Sequence, residues 1–135
     1  KRRTSSAFTL VELLVVLAIL TLIAAFAAPQ VFKYLGGAQS DAARVQIEGL
    51  GSSVDLYRLD VGTYPPTLEA LVSPPPGESR WDGPYLSKRV IPKDPWGNPF
   101  VYKTPGDNSP YDLISLGSDN ALGGDGEAKD IVSWE

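Results

Sequence analysis

The sequence predicts an α+β chain: one long N-terminal helix, apolar in its first half and amphipathic in its second, whose striped face packs on a small antiparallel sheet. Three observations predict it. The run from Phe8 to Ala28 is apolar with a single acidic residue, Glu12. From Asp41 to Leu59, the residues Ala43, Ile47, Leu50, Val54 and Tyr57 recur at spacings of four, three, four and three, which is one face of a helix. After Gly97 come short β-rich segments bounded by Gly, Pro, Asn and Asp.

The first element is long enough to span a bilayer, since about 20 apolar residues rising about 1.5 Å each cover a hydrocarbon core of about 30 Å. Lys1, Arg2 and Arg3 precede it with no cluster of comparable density just after it, so the N-terminus is expected to stay cytoplasmic and the rest of the chain to lie outside. Glu12 is the anomaly. A carboxylate inside hydrocarbon costs about 2.5–3.5 kcal/mol on insertion scales, so it asks for a partner or a function. An ordinary single-pass anchor has no use for it, and a removed secretory signal is cut after its apolar run rather than before it.

Pro29 ends the uniformly apolar part and, lacking an amide hydrogen, is expected to kink or interrupt the helix. Gly36 and Gly37 soften the next turn. A single long helix is the simplest reading, with two helices broken between Pro29 and Gly37 as the alternative. Asp60 to Pro66 then reads as a loop, and Thr67 to Val72 as a short helix capped by Thr67 with Glu69 in its first turn. Pro74-Pro75-Pro76-Gly77 stops that helix. Trp81 to Lys88 is a loop or short helical piece, and Ile91 to Pro99 is dense in turn residues. Phe100 to Lys103 and Tyr111 to Leu116 have the composition of a hairpin around Thr104 to Pro110, and Ile131 to Trp134 supplies a third strand.

The 107 or so residues after Ala28 suffice for one small domain, not two. There is no cysteine, so a small exported domain must find some staple other than a disulfide. The formal net charge is −4, and −7 without the three leading cations, which argues against nucleic-acid binding. Acid is concentrated at the end. Thr104 to Glu135 holds seven carboxylate side chains against one cation, Lys129. Within it, Asp119 to Asp130 combines four carboxylates with three glycines, the ingredients of a loop that folds oxygen ligands around a hard cation such as Ca²⁺. The spacing is not that of an EF-hand, and a solvated acidic turn is the plain alternative. With neither histidine nor cysteine, the common general base and the thiol nucleophile are both missing, and pairs such as Asp55 and Asp60 read as solvated positions; no enzyme activity is expected.

Basic leader, small residue, then Phe8-Thr9-Leu10-Val11-Glu12 resembles the class III signal of type IV pilins and type II secretion pseudopilins. The resemblance implies a leader of residues 1–7, a cut between Ala7 and Phe8, a membrane and filament-core helix over 8–28, and a periplasmic domain over 29–135. Alanine stands where glycine is usual before the cut. Glu12 becomes the fifth mature residue, and in that family it meets the free amine of an N-methylated phenylalanine. Further along, Leu56 to Pro65, Leu68-Glu69-Ala70-Leu71, Asp94-Pro95-Trp96-Gly97-Asn98-Pro99-Phe100 and Asp112 to Asp119 resemble the major-pseudopilin branch of type II secretion. That branch implies a pilin-like fold with a C-terminal calcium loop.

Carried over residue by residue, the Leu116 carbonyl, Asp119 and Asp130 match the branch's Ca²⁺ ligands. Which of Asp125 and Glu127 joins them stays open. Ca²⁺ would then serve as the missing staple, since carboxylates this close repel unless a cation or protons intervene. The function implied is a structural subunit that polymerises into a periplasmic pseudopilus driving folded proteins across the outer membrane. Its implied partners are further copies of itself, minor pseudopilins, a prepilin peptidase, and an inner-membrane assembly platform with its secretion ATPase. A type IV pilin of an extracellular fibre is the alternative, with a membrane-tethered binding module that never polymerises as a third.

Overall fold

The computed structural model describes residues 5–135, so Lys1, Arg2 and Arg3 lie outside the described residues. In chain order the elements are helix α1 (Leu10–Val61), a 3-10 turn (Leu68–Leu71), strands β1 (Val101–Lys103) and β2 (Asp112–Ser115), a second 3-10 turn (Gly126–Ala128) and strand β3 (Ile131–Val132). The chain forms two compact units, one reaching to Leu35 and one from Gly36 to Glu135.

In the first unit, α1 is long and apolar enough to cross a membrane, and none of that apolar window is buried. Phe8, Leu10, Leu22 and Phe26 are all well exposed. The polar exception Thr21 returns its hydroxyl to the Leu17 carbonyl at 2.7 Å, so its hydrogen is not left bare. Helix α1 passes through Pro29 uninterrupted, and the two-helix alternative does not form. A proline inside a helix costs about 3 kcal/mol. Here it is flanked by Ala24, Ala25, Ala27 and Ala28, the residue type that holds a helix best.

In the second unit the predicted stripe is the core. Ala43, Ile47, Leu50, Val54 and Tyr57 are all buried, and Val61 extends the series. The helix therefore runs two residues past the expected loop boundary at Asp60, because Val61 lies four residues after Tyr57 on the same face. Gly62 ends it: its φ of +90° is left-handed, and its N–H bonds the Arg58 carbonyl at 2.8 Å.

The expected short helix is a single 3-10 turn, and Thr67, though at its cap with extended backbone, makes no side-chain cap bond. Beyond its own backbone bonds, that turn is held from outside. Trp81 Nε1 donates to the Ala70 carbonyl at 2.7 Å and the Tyr85 N–H to the Leu71 carbonyl at 2.8 Å. Tyr85 also stacks edge-on against both Tyr57 and Trp81. Trp81 to Lys88 is thus an irregular strap rather than a helix.

Strand order is β1-β2-β3, all antiparallel. Val101 faces Ile114 and Lys103 faces Asp112, while Ser115 pairs with Ile131. Each strand is shorter than its β-rich segment by one or two residues. Leu113, Phe100 and Ile131 complete the core against the helical stripe.

Two buried carboxylates fasten the loops around this sheet. Asp94 accepts the Trp96 and Asn98 N–H groups on Oδ1, at 3.1 and 2.8 Å, and the Ser115 hydroxyl on Oδ2 at 2.8 Å. One side chain therefore closes the Pro95 to Asn98 turn and bolts it to β2. Trp96 itself is only half-buried. Asp112 gathers the Asp107, Asn108 and Ser109 N–H groups and so organises the whole hairpin tip. Burial alone would push its carboxyl up, but these hydrogen bonds outweigh burial and hold it below the usual carboxylate value.

Two outcomes follow for the detergent-solubilised chain. Leu50→Ala should cost about 2–5 kcal/mol in chemical unfolding, and Leu59→Ala, on the exposed face, within about 0.5 kcal/mol. For Asp112, whose folded pKa is depressed, the stabilisation is present above the unfolded pKa of about 3.9 and lost as pH falls through the folded value. Asp112→Ala should therefore be less stable than the parent at neutral pH, with the gap closing under acid. A gap that is constant with pH would remove the charge from this account.

Candidate functional site

Two places carry the residues singled out by the sequence: the start of α1 and the loop between β2 and β3. At the first, Ala7 and Phe8 precede the helix in non-helical backbone, and Phe8 is 86% exposed. The helix begins at Leu10 rather than at Phe8. Thr9 takes the position before it, and its Oγ1 accepts the Glu12 N–H at 3.2 Å. Threonine followed by glutamate three residues later is the spacing of a capping box, a signal present in Phe8-Thr9-Leu10-Val11-Glu12 but not used in the sequence reading. Glu12 also lies in the first turn, where the helix dipole favours an acid by about 0.3–1 kcal/mol. Its place is thus prepared locally, but that gain is well below its cost in hydrocarbon.

The loop from Gly117 to Asp130 closes on itself. The Ser118 N–H bonds the Glu127 carbonyl at 2.9 Å, and a Cβ at Gly117 would lie 2.8–2.9 Å from backbone atoms of residues 127–129. Gly117 and Gly124 have positive φ as well, so both the backbone angle and the close approach require glycine. Asn98 Nδ2 reaches across to the Gly117 carbonyl at 3.3 Å, which ties the loop to the proline-flanked turn.

The acidic residues are placed differently within this frame. Asp119 accepts the Ala121 N–H at 3.1 Å. Asp130 accepts the Gly123 N–H on Oδ2 at 3.0 Å, while its Oδ1 is buried without a hydrogen-bond partner. Asp125 stands before the second 3-10 turn and makes no side-chain cap bond. Glu127 lies against Gly36 of α1: its carboxylate and the carbon before it occupy the space that a Cβ at Gly36 would fill. Among the described residues no three acidic side chains converge into a metal-holding group. The loop thus gathers the predicted residues without clustering their carboxylates.

As a donor set the loop fits a hard cation in kind, being carboxylate and carbonyl oxygen throughout. The orphaned Asp130 Oδ1 is the observation that asks for one, because a buried carboxylate oxygen with no donor opposite it is costly. Gly36 was read only as softening a helical turn, and no sequence pattern links it to residue 127.

The family described as type II secretion system (T2SS), protein G matches residues 30–134, and the prokaryotic N-terminal methylation motif matches residues 2–28. Curated relatives carry the same description. The type II secretion system core protein G of Pseudomonas aeruginosa is 43% identical, covering 100% of this chain and 99% of its own length. That of Vibrio cholerae is 39% identical, over 99% and 94%. Among solved structures, the major pseudopilin from the type 2 secretion system of enterohaemorrhagic Escherichia coli is similar at a TM-score of 0.58 and 35% identity, over 73% of this chain and 88% of that one.

Proposed function

The chain belongs to the type II secretion system protein G family, the major pseudopilins, and we propose that its processed form polymerises into a periplasmic filament that drives folded proteins across the outer membrane. The observation that carries this reading is the first unit, an apolar helix none of whose membrane-length window is covered by its own chain. Such a helix needs lipid or other helices. On passing from membrane to filament, like helices take the place of lipid and apolar burial is largely retained. Identity over the full length to relatives named core protein G favours this over the type IV pilin reading and over a tethered module. The chain is read as a structural subunit rather than an enzyme.

In this proposal a prepilin peptidase removes residues 1–7 and methylates the new amine of Phe8. That amine, within or between subunits, is the partner that offsets the cost of Glu12. Minor pseudopilins, the assembly platform and its ATPase are the remaining partners, with the N-terminus cytoplasmic and residues 29–135 periplasmic. Mass spectrometry of membrane-derived protein should find a mature chain beginning at methylated Phe8. Glu12→Ala should be inserted and cut normally, yet yield few filaments by cross-linking of neighbours; abundant filaments would overturn the role given to Glu12.

The C-terminal loop is proposed to bind Ca²⁺ through the Leu116 carbonyl, Asp119, Asp130 and one or both of Asp125 and Glu127. Bound there, the ion would supply the positive charge that lets these acids share one loop. The support is the oxygen-only donor set, the unpartnered Asp130 Oδ1 and the lack of any cysteine to staple the domain otherwise. A hundredfold excess of Ca²⁺ over Kd should add about 2.7 kcal/mol. Thermal melts of metal-stripped chain with chelator and with Ca²⁺ should differ by several degrees, and Asp119→Ala should erase most of the difference. Identical parent melts would leave the loop a solvated acidic turn.

A further inference from the structure

We infer that Glu127 is a positioning residue of the C-terminal loop and not a metal ligand: its side chain is a peg seated on Gly36 of α1, which leaves Asp125 as the acidic ligand between the two glycines and Asp130. The ligand half of this inference rests on the Ca²⁺ reading above. The seat itself does not.

The geometry is one-sided. A Cβ built on Gly36 would overlap Glu127 Oε1, Cδ and Cγ together, so three successive atoms of one side chain lie over one glycine. Gly36 is buried in its folded unit, whereas Gly37 beside it is exposed and meets nothing. Glycine holds a helix less well than alanine does, a cost that Gly36 returns as room for the peg.

Asp125 and Glu127 bracket the 3-10 turn Gly126–Ala128, and the turn points them to different tasks. Glu127 contributes to the loop through its backbone, its carbonyl accepting the Ser118 N–H, while its carboxylate is on the helix. Asp125 contributes its backbone as well, its carbonyl accepting the Ala128 N–H at 3.1 Å, but its side chain differs. Both residues are exposed, but the Asp125 carboxylate makes no cap bond, so it is free to turn toward a cation without leaving a contact on the helix. Recruiting Glu127 as a ligand would instead require leaving Gly36.

Side-chain length separates the tasks further. A seat on the helix is read by the shape of the stem, and glutamine has the same shape as glutamate. A ligand is read by charge, and the loss of one carboxylate weakens a Ca²⁺ site in a way that shape does not repair. The conservative variants therefore discriminate.

The experiment is Ca²⁺ titration and thermal melting of the full chain in detergent, metal-stripped first, for E127Q, E127A, D125N, G36A and the pair G36A with E127A. Asp125→Asn should weaken Ca²⁺ at least about tenfold with little change in the metal-free melt. Glu127→Gln should stay within about threefold of the parent. Glu127→Ala and Gly36→Ala should each weaken Ca²⁺ by an intermediate amount through loss of the seat.

In metal-free melts, Gly36→Ala should raise the midpoint by a few degrees when Glu127 is already alanine, from helix propensity alone. With Glu127 present it should give a smaller rise or a fall, and this non-additivity measures the contact. A loss of Ca²⁺ binding in E127Q equal to that in D125N would overturn the inference. So would additive melts for Gly36 and Glu127. Should the parent chain bind no Ca²⁺ at all, the metal reading fails along with the ligand assignment, and the metal-free cycle alone then upholds or overturns the seat.

Discussion

Everything in the folded unit depends on one helical stripe. Ala43, Ile47, Leu50, Val54, Tyr57 and Val61 supply half of the unit's buried hydrophobic core, and the three strands together cover just nine residues. A sheet that small cannot stand alone. Leu113, Phe100 and Ile131 are buried because the stripe is there to receive them, and the strap through Trp81 and Tyr85 is ordered because Tyr57 offers a ring to stack on. The stripe also explains why helix α1 does two jobs without conflict. Apolar residues surround it before Pro29, apart from Glu12 and Thr21, whereas after Asp41 the buried ones share one face and polar residues occupy most of the rest.

That stripe was legible because periodicity is a property of sequence alone. The five residues that the spacing selects are all buried, and the strands fall inside the segments expected of them. The single helix and the family resemblance were legible for related reasons: apolar length, the Thr9 and Glu12 neighbourhood, and the turn containing Trp96 are local strings. What escaped were groups that act across distance. Asp94 reads as one of several turn residues and Asp112 as part of a strand, yet both are buried, and Asp94 binds Ser115, 21 residues away. Nothing local marks an aspartate as a hub when the partners are main-chain amides and a serine on another element. Trp96, the conspicuous residue of its turn, proved half-buried, and the quiet Asp94 beside it does the fastening.

The C-terminal loop divides along the same line. Its acid and glycine content announces a turn rich in oxygen donors, and its closure by Ser118 and Glu127 agrees with that. The individual directions of Asp119, Asp125, Glu127 and Asp130 depend on which main-chain amide or helix surface each one meets, and no spacing rule reaches Gly36 from residue 127. At the other end of the chain the physics is simpler. Glu12 is welcome in the first helical turn, yet a carboxylate is expensive in hydrocarbon, so the residue that favours helix formation is the one that lipid would favour least.

The hairpin tip held by Asp112 has a different kind of consequence. The Asn108 amide and the Ser109 hydroxyl reach its anchor too, but the frame is the main-chain N–H groups of residues 107, 108 and 109. Any residue except proline presents such a group. Gly106 is the exception for steric reasons, since a Cβ there would strike the Ser109 carbonyl and the Asp112 carboxylate. Asp107, whose carboxylate pairs with Lys103 only at the surface, is therefore the tip position where new chemistry costs the fold least. It is a natural place for surface diversification over evolutionary time, and for attaching a label to the folded unit.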